Sequence, residues 1–246
     1  MTAIPAWPPR SLPRLYVEPP LSAGIAVGLD AGQANYLGNV LRLKEGDEVL
    51  LFDGVSGEWL ARVAEAGKRR MILAVAEATR PQEQAPDLWL AFAPVKKGRV
   101  DWLVEKAVEL GVARLVPVIT RRTIVDKLNL DRMRAHIVEA AEQCGRTALA
   151  AIDEPVKLGA FLAARDPGRT LYFADETGGA PAATAFAPGA AILLTGPEGG
   201  FTPEEAIAIR AAANARALSL GPRILRAETA ALAGVAAWMA VAGDWR

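Results

Sequence analysis

LLTGPEGGFTPEE, residues 193–205, and LSLGPRILRAETAALAGVAAW, residues 218–238, decide how the C-terminal part of this chain is read. In the first, apolar residues run into a turn containing Gly196, Pro197, Gly199 and Gly200, and a helix start follows. Thr202 can cap, Pro203 suits the first helical position, and Glu205 completes a capping box. Strand, glycine turn and helix in that order often cradle phosphate. This turn carries a carboxylate, Glu198, and lacks the Lys-Ser/Thr pair of a P-loop; G-x-G-x-x-G spacing is also missing. In the second stretch Leu218–Leu220 reads as a short strand, Gly221-Pro222 turns the chain, and RILRAET opens an alanine-rich helix. Two such turns one helix apart, at the carboxyl ends of neighbouring parallel strands, predict a ligand site built largely from backbone groups.

Working outward, the chain divides into two kinds of pattern. Residues 87–246 alternate strand and helix. Predicted strands are LWLAFAP (88–94), RLVPVIT (114–120), TLYFA (170–174) and AILLT (191–195). RVDWLVEKAVEL puts Val100, Leu103, Val104, Ala107 and Val108 on one helical face, and Gly111 ends that helix. Further helices are expected over 131–143 and 158–165, and PAATAFAPGAA (181–191) holds at most a short helical turn. Such alternation predicts an α/β domain with a mostly parallel sheet. Residues 1–78 instead read as short strands, RLYV (14–17), EVLLFD (48–53), EWLARVAE (58–65) and MILAVAE (71–77), with a helical piece near 35–41. Asp53-Gly54 and Ser56-Gly57 are the expected turns, and a small β-barrel is the expected product. TRPQEQAP, residues 79–86, is the expected linker.

Composition bounds function loosely. Of 246 residues, 52% are hydrophobic, enough for a sizeable core, and 28 basic residues balance 28 acidic ones, so any nucleic-acid contact must be local. One cysteine, Cys144, excludes an internal disulfide and is assigned no chemistry, and no zinc-type Cys/His spacing occurs, so no metal is expected. MTAIPAWPPRSLPR is too polar and proline-rich for a signal peptide, and no apolar run reaches spanning length, so no membrane association and a cytoplasmic location are expected.

TGPEGGFTPEE followed by LGPRILRAETAAL closely resembles the 16S rRNA (uracil-N3)-methyltransferase family of the SPOUT class. PRLYV, NVLRLKEGDEVLLFDG (39–54), VKKGRVDWLVEKAVELGV (95–112) and EAAEQCGR (139–146) resemble its other blocks in order. The resemblance implies a PUA-like N-terminal barrel, an α/β domain threaded as a trefoil knot, a homodimer through the C-terminal domain, and S-adenosylmethionine as donor. It places Leu194, Thr195, Gly196, Glu198 and Gly199 in the first donor loop, and Leu220, Gly221, Ile224, Leu225, Arg226, Glu228, Thr229 and Ala230 in the second. Leu220, Ile224 and Leu225 can flank an adenine face. Glu198 and Glu228 can accommodate a sulfonium charge or cap helix ends; both readings stay open.

Methylating a uracil imide nitrogen requires stabilising charge on the flanking carbonyl oxygens, a task that suits arginine. Arg226 is the leading candidate, its structural alternative being a salt bridge to Glu228. No general base is evident: His136, within MRAHIVEAAEQ, reads as a helix-face residue. Residues 96–146 hold eleven Lys/Arg against seven Asp/Glu, and Lys96, Lys97, Arg99, Arg121 and Arg122 are the candidate phosphate contacts. Arg42 and Lys44 are the candidates in the barrel, although AGQANYLGN (31–39) lacks the histidine the family carries there. The implied substrate is a uridine of small-subunit ribosomal RNA near the decoding region. Rival readings are a SPOUT methyltransferase of another RNA or base, and a non-catalytic RNA-binding assembly factor.

Overall fold

The structure is a computed structural model, which describes residues 12–18, 20–67, 70–96, 98–125 and 127–245. The chain forms two compact units, one from the residues up to Gln84 together with Glu142–Ala148, the other from Ala85–Ala141 and Leu149 onward.

In the first unit β1 (Arg14–Tyr16) and β2 (Ala26–Gly28) precede α1 (Ala31–Asn35) and a π-helical turn (Tyr36–Val40). Three longer strands follow, β3 (Glu48–Phe52), β4 (Glu58–Ala66) and β5 (Met71–Arg80). They make a five-stranded sheet in the order β1-β3-β4-β5-β2. All its pairs are antiparallel except β1 with β3. Alternation along β3 to β5 buries Val49, Leu51, Ala61, Val63, Met71, Leu73 and Val75 in one cluster with Leu15, Leu37 and Ala34. Both expected turn glycines, Gly54 (φ 81°) and Gly57 (φ 88°), take the left-handed conformation. Asp53 fixes the turn by accepting from the amides of Leu21 (3.0 Å), Val55 (2.9 Å) and Ser56 (2.7 Å). Burial alone would raise the Asp53 carboxyl; these hydrogen bonds and that of the Ser56 hydroxyl outweigh it and hold the carboxyl below its usual range.

A second tie is ionic. Glu58, 4% exposed, accepts from Arg14 Nε (2.8 Å), from Arg80 Nη2 (2.7 Å) and from Thr79 Oγ1 (3.0 Å). The same two arginines reach the EQCGR segment: Arg14 donates to the carbonyls of Glu142 (3.1 Å) and Arg146 (3.0 Å), and Arg80 to that of Gly145 (2.7 Å). A strand read as ending at Glu77 therefore runs on to Arg80, because Thr79 and Arg80 are needed at Glu58.

The second unit runs β6 (Leu88–Phe92), α2 (Arg99–Glu109), β7 (Arg114–Ile119), α3 (Leu130–Cys144), β8 (Ala151–Ile152), β9 (Val156–Lys157) and α4 (Leu158–Ala164). It continues through β10 (Thr170–Ala174), β11 (Ala180–Pro181), α5 (Ala182–Ala185), β12 (Ala191–Thr195), α6 (Pro203–Ala211), β13 (Ala215–Ser219) and α7 (Ala227–Val241). The last residues of α3, from Glu142, are counted with the first unit. The sheet order is β11-β13-β10-β12-β6-β7-β8, with β9 also on β7. Every pairing is parallel, as the alternating pattern requires. All five residues of β12 are buried, as expected of a central strand covered on both faces. α7 packs on β12, β6, α2 and α5. Gly234 permits that approach, since a Cβ there would stand 2.6 Å from Leu193 Cδ2. Among the described residues no helix is long and apolar enough to cross a membrane.

Candidate active site

The predicted first loop forms as read. Thr202 accepts from the Glu205 amide (3.3 Å) and Glu205 Oε2 from the Thr202 amide (3.0 Å), closing the capping box at the start of α6. Glu205 is buried and its other oxygen takes the amide of Arg121 (2.8 Å). Arg122 donates to the carbonyl of Gly199 and, at 3.4 Å, to that of Phe201. Two candidate phosphate contacts thus have structural partners: Arg121, also paired with Glu204 at 3.1 Å, and Arg122 hold the first loop in place.

The second loop joins β13 to α7. The strand begins at Ala215 rather than Leu218, pairing Ala215 with Leu171 through to Leu218 with Ala174. Gly221 turns at φ 108°. Arg226 stands at the cap position of α7 without a side-chain cap bond.

Because β10 lies between β12 and β13, a third loop at its carboxyl end comes beside the other two. This loop, Asp175–Gly178, was not singled out from sequence. Arg210 of α6 pins it, donating to Asp175 and at 2.8 Å to Thr177 Oγ1. Glu176 abuts the first loop, since a Cβ on Gly200 would stand 2.8 Å from its Oε1.

The three loops enclose a cleft of about 650 Å³. Of the predicted donor residues, Thr195, Gly196, Glu198, Leu220, Gly221, Ile224, Leu225, Arg226 and Ala230 line it. Leu194 is instead buried in the sheet core, and Gly199 faces Arg122. Thr229 is exposed on α7, and neither it nor Glu228 is among the lining residues. Lining residues outside the predicted donor set are Phe173 to Gly178, Pro197, Gly200, Phe201, Ala206, Leu218, Ser219, Pro222, Arg223 and Ala227; Pro197, Gly200, Leu218, Ser219 and Pro222 lie in the two stretches already read as ligand-binding turns. For Phe173 to Gly178, TLYFADETGG shows a buried strand ending in an acidic, glycine-rich turn, but no local feature ties that turn to the other two loops.

Arg99, read as a phosphate contact, also lines the cleft. Its Nη1 lies 3.5 Å from Glu198 Oε1 and its Nε 3.6 Å from Glu228 Oε1. The ion pair to Glu228 therefore comes from Arg99, correcting the Arg226–Glu228 alternative. Glu228 is 7% exposed, and its Oε2 has no hydrogen-bond partner. Lying in the first turn of α7, its charge is favoured by the helix dipole, yet no cap bond forms. Arg226 itself is exposed.

The remaining candidates lie elsewhere. Lys96 is exposed in the turn before α2, and Lys97 lies outside the described residues. Arg42, at φ 61°, and Lys44 are exposed in the first unit. His136 sits on α3 between Asp101 and Glu139, 3.7 Å from each, and does not line the cleft. No group of three or more His, Cys, Asp or Glu suited to a metal occurs among the described residues.

The cleft combines apolar walls and glycine turns with the carboxylates Asp175, Glu176 and Glu198 and the arginines Arg99, Arg223 and Arg226, a mixed lining that suits a ligand with an aromatic ring and charges of both signs. Residues 82–239 match the sequence family described as RNA methyltransferase domain. The chain belongs to the RNA methyltransferase family. Residues 29–75 match that family's PUA domain. Ribosomal RNA small subunit methyltransferase E of Rickettsia conorii is 29% identical over 229 residues, 91% of this chain and 93% of its own length. Its counterpart of Synechocystis is 33% identical over 228 residues, 88% and 74% of the two chains. The crystal structure of ribosomal RNA small subunit methyltransferase E from Neisseria gonorrhoeae, bound to S-adenosylmethionine, superposes with a TM-score of 0.89 at 31% identity. It covers 96% of this chain and all of its own. A Legionella pneumophila methyltransferase solved with the same cofactor gives 0.87 at 29% identity and the same coverage.

Proposed function

We propose that this protein is an S-adenosylmethionine-dependent methyltransferase of small-subunit ribosomal RNA, acting on N3 of a uridine near the decoding region of an assembled small subunit. One observation carries the reading: three loops at the carboxyl ends of β10, β12 and β13 make a single glycine-lined cleft, in a fold matched over their whole length by two structures solved with this donor. The cleft's chemistry agrees. Leu220, Ile224 and Leu225 offer apolar surface for an adenine, Gly196 and Gly221 let the backbone approach, and Glu198 lends a carboxylate near a cationic donor. When bound, S-adenosylmethionine supplies an electrophilic methyl group. The protein's part is to hold the acceptor base in line and stabilise negative charge on it, which we assign to the cleft arginines, Arg226 among them.

We propose, as the resemblance implies, that the chain is threaded as a trefoil knot; the return of α7 onto β12 and β6 after β13 supports the reading. A homodimer through the C-terminal unit, a PUA-like RNA-binding role for Arg42 and Lys44 in the first unit, and a cytoplasmic location belong to the same reading. The expected domain bounds of 1–78 and 87–246 shift with the structure: Thr79 and Arg80 of the expected linker, residues 79–86, belong to β5, and in this reading the second unit, without Glu142–Ala148, is the catalytic one.

The test is transfer of labelled methyl to small subunits lacking the modification, followed by nucleoside analysis, with naked 16S rRNA alongside. Label should appear as N3-methyluridine, favour the assembled subunit, and fall by about tenfold or more in Arg226→Ala. Label in another nucleoside would reassign the base. Donor binding without transfer to any RNA would favour a non-catalytic assembly factor.

A further inference from the structure

We propose that Arg99 is a catalytic residue contacting the acceptor base, and that Glu228 is its positioning residue; this rests on the methyl-transfer reading above. Arg99 reaches the cleft from the start of α2, an element separate from the three donor loops. Arg99, Arg223 and Arg226 line the cleft, and of these Arg99 alone is half-buried and placed between two carboxylates; the other two are exposed. A preorganised cation in a partly desolvated site stabilises developing charge far better than a mobile one in water, because no reorganisation is needed when the charge forms.

Its anchors are loose. At 3.5 and 3.6 Å, neither carboxylate takes a short charge-assisted hydrogen bond, which would measure roughly 2.7–2.9 Å. A guanidinium has five N–H donors in a planar fork, so two long contacts leave it able to engage two carbonyl oxygens. Glu228 supplies the independent second observation. A carboxylate 7% exposed, with one oxygen lacking any hydrogen bond, is costly to bury and contributes little to folding. Its position is accounted for if its charge holds Arg99 at the cleft.

In the step itself the imide N–H bond breaks and the proton leaves to water. The nitrogen lone pair forms the N–CH₃ bond, and the electron pair of the CH₃–S bond stays with sulfur, which becomes a neutral thioether. Negative charge passes through the two carbonyl oxygens flanking the nitrogen, and the Arg99 fork faces that charge.

The test compares Arg99→Ala, Arg99→Lys, Glu228→Gln and the Arg99→Ala/Glu228→Gln double variant with the wild type. It reads S-adenosylmethionine affinity by calorimetry, kcat and KM on small subunits, and the thermal midpoint. Arg99→Ala should leave donor affinity and KM within about threefold while kcat falls about 100-fold. Arg99→Lys should recover part of kcat, because a point charge lacks the fork. Glu228→Gln should lower kcat about tenfold, and the double variant should be no slower than Arg99→Ala alone. A raised KM with intact kcat would make Arg99 a phosphate contact and overturn the proposal. A loss of donor affinity matching the loss of rate would place it in the donor pocket instead. If the wild type labels a base other than uracil, the uridine reading fails while the kcat-against-KM split still decides Arg99. A wild type that neither binds donor nor transfers methyl overturns both.

Discussion

Two carboxylate–arginine clusters in this molecule have similar composition and opposite design. In the first unit, one buried carboxylate, Glu58, lies between Arg14 and Arg80 at 2.8 and 2.7 Å, and the arginines spend their other donors on backbone carbonyls. In the second, one arginine, Arg99, lies between Glu198 and Glu228 at 3.5 and 3.6 Å, and an oxygen of Glu228 is unsatisfied. A saturated network fixes a fold, since removing a member strands buried charge. An unsaturated one at the wall of a cleft retains capacity for something that enters. The difference separates structural from functional charge better than residue type or net charge does.

The largest expected effect concerns the saturated cluster. Glu58→Gln should destabilise the protein by about 3 kcal/mol in urea unfolding, because Arg14 would remain buried without its counter-charge. Arg99→Ala, by contrast, should change stability by less than about 1 kcal/mol while costing far more in rate. Equal stability losses in the two variants would erase the distinction.

The clusters should also differ in pH response. Burial alone would raise the Glu58 carboxyl, but the hydrogen bonds and charges of Arg80 and Arg14 outweigh it and hold it below the usual carboxylate range. A group depressed on folding contributes stability that is complete above its unfolded pKa, about 4.3 for Glu, and is lost as pH falls through the lower folded value. The stability gap between wild type and Glu58→Gln should therefore be constant near neutrality and narrow only below about pH 4. A gap that narrows between pH 6 and 8 would implicate another group.

The smallest effect sharpens the boundary of the cleft. Thr202→Ala removes one side of the capping box at α6 and should cost about 1 kcal/mol. Donor affinity should fall less than about threefold, because Arg122 still holds Gly199 and Phe201.

What was legible in the sequence follows from how local each determinant is. The first loop was readable because Thr202, Pro203 and Glu205 specify a helix start within four positions. The parallel sheet was readable because its central strands, buried on both faces, are near-continuous apolar runs. β2 escaped because Ala26–Gly28 is short, largely exposed and defined only by its pairing with β5. The start of β13 escaped because Arg216 interrupts its apolar pattern. The third loop was invisible for a topological reason: Asp175–Gly178 reaches the cleft only because β10 lies between β12 and β13. Arg99 was seen as a basic residue at a helix end, but its carboxylate partners are 99 or more positions away, beyond any local rule. The family resemblance pointed to two of the loops that line the cleft; packing then placed Leu194 in the core and Glu228 beside Arg99.

The most direct test of the central claim is calorimetric titration of S-adenosylmethionine into the wild-type protein and into Leu225→Glu. The wild type should bind one donor per chain, and the variant at least about tenfold more weakly with an unchanged thermal midpoint, since Leu225 is partly exposed on the cleft wall. No binding by the wild type, or equal binding by the variant, would contradict the assignment of this cleft to the methyl donor.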